Sequence, residues 1–151
     1  MKLLGIVIFY KFDLVKLKES ILTYIDTLDK LIIWRNSEIS EYDILSVFSD
    51  DYRQKIEVLG NGENIFIAGA LNRAVEYART NGYTHILTMD QDSKFGQEDA
   101  EKYRKTIEGG DNYNNVIFSY VGYVRNIKDI PFGMSFMLYI EPSGTRRVGS
   151  E

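Results

Sequence analysis

His85-Ile86-Leu87-Thr88-Met89-Asp90-Gln91-Asp92-Ser93 is the stretch that decides the fold. A short run of apolar and β-branched residues bounded by turn residues reads as a buried strand. Asn81-Gly82 marks its start and Asp90-Gln91-Asp92-Ser93 its end. Two carboxylates two residues apart, just past such a strand, can hold a divalent cation at the lip of a sheet, and that cation can hold a diphosphate. Mg²⁺ and Mn²⁺ take oxygen ligands, with few from protein and the rest from substrate phosphates or water. The spacing alone says little, since a chain with 11 Asp yields about 0.8 Asp-x-Asp matches by chance. The position says more, because open α/β sheets bind ligands outside the carboxyl ends of their strands. The plainer reading is a polar turn that closes a strand and caps the next helix.

Outward from this stretch, strands alternate with helices. Residues 3–10 form a first strand, apolar throughout and so buried on both faces. Leu14, Leu17, Ile21, Ile25 and Leu28 recur at helical spacing, with Asp13 as N-cap. Residues 30–34 are a second strand, 40–54 a weaker helix opened by Ser40, and 56–59 a third strand. The spacing predicts a helix over 66–80 with Ala68, Leu71, Val75 and Ala78 on one face, stopped by Asn81-Gly82. A further helix is expected over 97–108, and later strands over 116–121 and 134–140. The order implies an α/β fold: a Rossmann-like, mostly parallel sheet flanked by helices on both faces. One domain is expected over 1–142, with 143–151 a disordered tail.

Composition excludes several classes. The chain has 151 residues, no Cys, one His and a net charge of −4. A disulfide framework, a thiol nucleophile and a multi-His metal site are therefore ruled out. A nucleic-acid partner is not expected, for want of a basic surplus. The first apolar run is too short to span a bilayer and lacks a signal-peptide cleavage site. The expected location is cytoplasmic, with association with the inner face of the membrane as a variant.

Two linked segments carry a resemblance. Residues 64–74, Asn-Ile-Phe-Ile-Ala-Gly-Ala-Leu-Asn-Arg-Ala, precede residues 82–93, the strand ending in Asp-Gln-Asp-Ser. Together they resemble the family 2 glycosyltransferases of the GT-A fold, especially rhamnosyltransferase-like members. The strand and helix order is similar from residue 1 to about residue 120. The resemblance implies that Asp90 and Asp92 bind Mg²⁺ or Mn²⁺ and the diphosphate of a nucleotide-sugar donor, with Asp92 closest to the metal. It implies that Asn64, Ala68 and Asn72 line the donor side, and that Phe9 and Tyr10 lie beside the nucleobase. Arg35 and Asn36 stand where members carry an Asp-Asn pair whose Asp reads the base. Trp34 or Arg35 could stack on a base instead.

The resemblance also implies transfer of a sugar, rhamnose for example, from a dTDP- or UDP-sugar to a glycan or lipid-linked acceptor in bacterial polysaccharide synthesis. Family members are longer, and their further part carries the acceptor pocket and the catalytic base. Among the acids past residue 120, Asp129, Glu141 and Glu151, none sits in a recognisable acceptor motif. The catalytic residue is thus unassigned, and the chain is expected to be a truncated donor-binding part. An exposed apolar face where the rest would pack would favour a homodimer.

Two alternatives stand beside this. One is a catalytically silent GT-A-like remnant acting as a binding or interaction module. The other is a response-regulator-like domain, which would want an acidic pair where Phe9-Tyr10-Lys11 stands. His85 reads as a strand-start residue, Arg73 as a solvated helix residue, and Lys94 as a partner for Asp92 when metal is absent.

Overall fold

In a computed structural model of the chain, residues 1–96 and 98–109 are described, together with the backbone of 118–119 and 136–139. Strand β1 spans Leu3–Phe9, helix α1 Leu14–Ile21, β2 Lys30–Arg35, α2 Glu41–Ser46, α3 Asp50–Arg53, β3 Ile56–Leu59, α4 Phe66–Thr80, β4 His85–Met89 and α5 Asp99–Glu108. Strands β5, Phe118–Ser119, and β6, Phe136–Tyr139, follow. The sheet order is β3-β2-β1-β4-β6-β5. The first four of these run parallel, and β6 pairs antiparallel with both β4 and β5.

Alternation along β1 and β2 sorts the core into two layers. Leu3, Val7, Phe9, Leu31 and Ile33 face one side and pack with Leu17 and Ile21 of α1, Ile44 of α2 and Tyr103 and Ile107 of α5. Leu4, Ile6 and Ile32 face the other side, against Ala74 and Ala78 of α4. Helices thus flank the sheet on both faces, as the pattern implies. Gly5 lets the first layer close down: a Cβ there would lie 2.4 Å from Leu28 Cδ1 and 3.0 Å from Leu31 Cδ1.

The predicted elements recur with four corrections. The helical spacing read from Leu14 to Leu28 is broken: α1 ends at Ile21, and a separate 3₁₀ turn, Ile25–Thr27, follows it. The helix expected over 40–54 is two short helices, which lets Phe48 between them turn into the core. The Ser40 side chain still caps the first, accepting from the Asp43 N–H at 3.0 Å. The expected helix over 97–108 begins at Asp99. On α4 the buried residues are Ala70, Ala74 and Ala78, while Ala68 is exposed. The i, i+4 row of alanines is the one that lets the helix lie close to the sheet. Leu71 and Val75 pack at its margin.

Asp13 caps α1 by accepting from the Lys16 N–H at 2.9 Å. The expected boundary at 142 and the tail 143–151 lie outside the described residues, as do Asp129, Glu141 and Glu151. Among the described residues, no helix is long and apolar enough to cross a membrane.

Candidate functional site

Because β1, β2, β3 and β4 are parallel, their carboxyl ends share one edge of the sheet. Asp90 follows β4 directly, next to the end of β1. The acidic turn is closed by the Ser93 N–H donating to the Asp90 carbonyl at 3.1 Å. Asp90 and Asp92 are exposed, and Ser93 is buried. Ser93 Oγ has no hydrogen-bond partner among the described residues.

Partial burial raises the Asp90 pKa above the ordinary carboxylate value, and the Asp92 charge raises it further. Among the described residues, neither acid forms an ion pair. Lys94, expected beside Asp92, pairs instead with Glu19 on α1 at 3.2 Å. Two neighbouring carboxylates without a cation partner fit a hard divalent ion, with its remaining ligands drawn from phosphate or water. Among the described residues, no group of three acidic or His side chains gathers as a complete protein cage.

The polar residues around this turn hold backbone. Asn36 is buried, and its Oδ1 accepts from the Ile65 N–H at 3.0 Å. Its own N–H donates to the Phe9 carbonyl at 2.9 Å. Asn36 thus ties the ends of β1 and β2 to the entrance of α4. Asn64 Oδ1 accepts from the Phe66 N–H at 3.0 Å, which spans a backbone turn where Phe66 has a φ of 60°. Ser37 Oγ accepts from the Lys11 N–H at 2.9 Å.

Arg35 is committed in the same way. Its Nε donates to the Gly60 carbonyl at 2.9 Å, Nη1 to the Ile39 carbonyl at 3.1 Å, and Nη2 again to Gly60. Trp34 packs in the layer beneath α4, next to Gly60.

The remaining candidates divide by exposure. The Phe9 side chain is in the core, so only its backbone reaches the edge. Tyr10 is 42% exposed, Phe66 75% and Ile67 65%, which leaves two aromatic side chains and an aliphatic one open to solvent. Ala68 and Asn72 on α4 are also exposed. Arg73 pairs with Glu76 on the helix surface at 3.3 Å. His85 pairs in register with Leu3, at the amino end of the sheet and away from the acidic turn. Its pKa is lowered by burial first and by the N-terminal amine second.

Sequence reading missed Gln91. Its Oε1 accepts from the Tyr10 N–H at 2.9 Å, and its Nε2 donates to the Tyr10 carbonyl at 3.3 Å. No local pattern signals a contact between residues so far apart in the chain.

The fold is α/β and GT-A-like, with a mostly parallel, Rossmann-like sheet and an acidic turn at its carboxyl edge. 4-Diphosphocytidyl-2C-methyl-D-erythritol synthase from Anaerococcus prevotii is similar in structure with a TM-score of 0.51 and 12% identity, over 91% of this chain and 69% of that one. The crystal structure of S. aureus TarS 1-349 aligns with a TM-score of 0.48 and 18% identity. That alignment covers 72% of this chain and 32% of TarS 1-349, so the chain spans about a third of that structure. No protein-family model matches the chain. No curated protein matches it by sequence.

Proposed function

We infer that this chain is the nucleotide-sugar-binding part of a metal-dependent glycosyltransferase. One observation carries the reading: Asp90 and Asp92 flank a single turn at the carboxyl end of β4, beside the end of β1, with no cationic partner among the described residues. In this reading Asp90 and Asp92 hold Mg²⁺ or Mn²⁺. When bound, the cation supplies neutralising charge for the diphosphate of the donor. The chain's own residues bind and orient. Asn36 and Asn64 hold the entrance of α4, Asn72 and Ala68 present their helix face to the donor, and Tyr10 offers a ring for stacking on the base.

The donor class is a dTDP- or UDP-sugar, with rhamnose as the first sugar to test. The acceptor is a glycan or lipid-linked glycan of bacterial polysaccharide assembly, used by a longer form. The proposed unit is residues 1–142, working in the cytoplasm, with association with the inner face of the membrane as a variant.

Calorimetric titration of UDP, dTDP and GDP, with and without Mn²⁺, on the wild type and Asp92→Ala tests this. The expected result is metal-dependent nucleotide binding, abolished by the substitution. Binding of none to the wild type would overturn the reading. A silent interaction module would then lead, as the commitment of Arg35 to backbone carbonyls already favours.

A further inference from the structure

We propose that Gln91 is a positioning residue that fixes the acidic turn against the end of β1 and thereby sets the affinity of the turn for a divalent cation with a nucleoside diphosphate. The proposal rests on the donor-site reading above and adds a role for the residue between the two acids.

The parallel ladder between β1 and β4 has its last register pair at Val7 and Met89. Beyond it β1 continues through Ile8 and Phe9, with Tyr10 just past its end, while the backbone after β4 turns at Asp90. No strand backbone is therefore left to pair with the peptide groups of Tyr10. The Gln91 side chain takes that place. Its amide carries one acceptor and two donors on one planar group, as a peptide does with fewer donors. It engages both the N–H and the carbonyl of Tyr10, at 2.9 and 3.3 Å.

The contact extends the sheet by one step through a side chain. It does so from the one residue that lies between Asp90 and Asp92. The Ser93 N–H closes the turn onto the Asp90 carbonyl from the other side. The carboxylates thus sit on a loop held at two points, one local and one 81 residues away in sequence.

Holding two like charges on a fixed turn has a Coulombic cost in the absence of metal. A loop free to move would let the carboxylates separate. The clamp keeps them where a cation can meet both, so the ordering entropy is not charged to the binding event. It also links the two halves of the ligand. Tyr10, the exposed ring available to the base, and the acids, available to the diphosphate, are joined through one amide. Glu at this position could not donate to the carbonyl, and Met would keep the length while losing both bonds.

The test compares the wild type with Gln91→Met, and with Gln91→Ala should the Met variant fail to fold. Three quantities are read: Mn²⁺-dependent affinity for UDP, dTDP and GDP by calorimetry, hydrogen exchange at the Tyr10 amide by NMR, and the metal-free thermal midpoint. Removing partners that orient metal-binding groups weakens affinity by about 10- to 100-fold. The expected result is a loss in that range for each nucleotide the wild type binds, with faster exchange at Tyr10 and a modestly lowered midpoint. A merely structural Gln91 would lower the midpoint and leave affinity within twofold, which overturns the proposal while leaving the donor site intact. Failure of the wild type to bind any of the three with Mn²⁺ overturns the donor-site reading and this proposal together.

Discussion

Replacing Arg35 with Met separates two roles that the same side chain could have at this edge of the sheet. In the structure the guanidinium donates to two main-chain carbonyls, Gly60 and Ile39, through three of its N–H groups. A hydrogen bond involving a charged group contributes about 1.5–3 kcal/mol when shielded. Arg35 is half-buried, so water can replace part of what is lost. Taking about 1 kcal/mol for each carbonyl left without its donor gives a cost of about 2 kcal/mol. For a domain of this size that lowers the thermal midpoint by about 4–8 °C.

Urea denaturation followed by circular dichroism measures the stability change, and calorimetry with UDP, dTDP and GDP in Mn²⁺ measures binding. The expected outcome is the stability loss, with nucleotide affinity changed by less than threefold. An unchanged midpoint with affinity reduced tenfold or more would refute the reasoning. It would show that Arg35 leaves its carbonyls to contact the nucleotide.

Two further outcomes follow from the same geometry. Gly60 has a φ of 85°, and a Cβ there would lie 2.8 Å from the Arg35 carbonyl oxygen. The left-handed conformation costs a residue with a Cβ about 1–2 kcal/mol before any clash, so Gly60→Ala should lower the unfolding free energy measured in urea by more than that conformational cost alone. A variant as stable as the wild type would contradict the turn geometry. Asp90→Asn should make the metal-free protein more stable at neutral pH. Because the folded-state pKa of Asp90 is raised, its destabilising contribution is absent below the ordinary carboxylate pKa and grows as pH rises through the folded value. The difference in thermal midpoint between the variant and the wild type in chelator should therefore widen from about pH 4 to pH 7, while Mn²⁺ raises the midpoint of the wild type alone. A pH-independent difference would count against the raised pKa.

The layers of this fold were legible because they rest on local pattern. Apolar runs at 3–9, 30–35, 56–59 and 85–89 and the helical spacing over 66–80 need no knowledge of distant partners. The misplacement of Ala68 shows the limit of that pattern. Two overlapping apolar rows run along α4, and only the sheet beneath selects the row through Ala70, Ala74 and Ala78. The position of the acids at 90 and 92 was legible for a different reason: the end of an apolar strand tells where they stand. Arg35, Asn36 and Gln91 carry groups that serve a ligand or a peptide equally well, and composition does not distinguish the two. Their partners lie 25, 29 and 81 residues away in the chain.

The consequence reaches the proposed specificity. With the Arg35 guanidinium held by Gly60 and Ile39 and the Asn36 Oδ1 held by Ile65, neither side-chain group is open to read a base while those bonds stand. The large apolar groups this edge leaves exposed are the Tyr10 ring, Phe66 and Ile67. These surfaces stack or pack but do not discriminate between pyrimidine edges. The proposed donor site is therefore expected to grip the diphosphate through its acids and metal more selectively than it grips the base, so that UDP and dTDP bind with affinities within about tenfold of each other, a difference of about 1.4 kcal/mol.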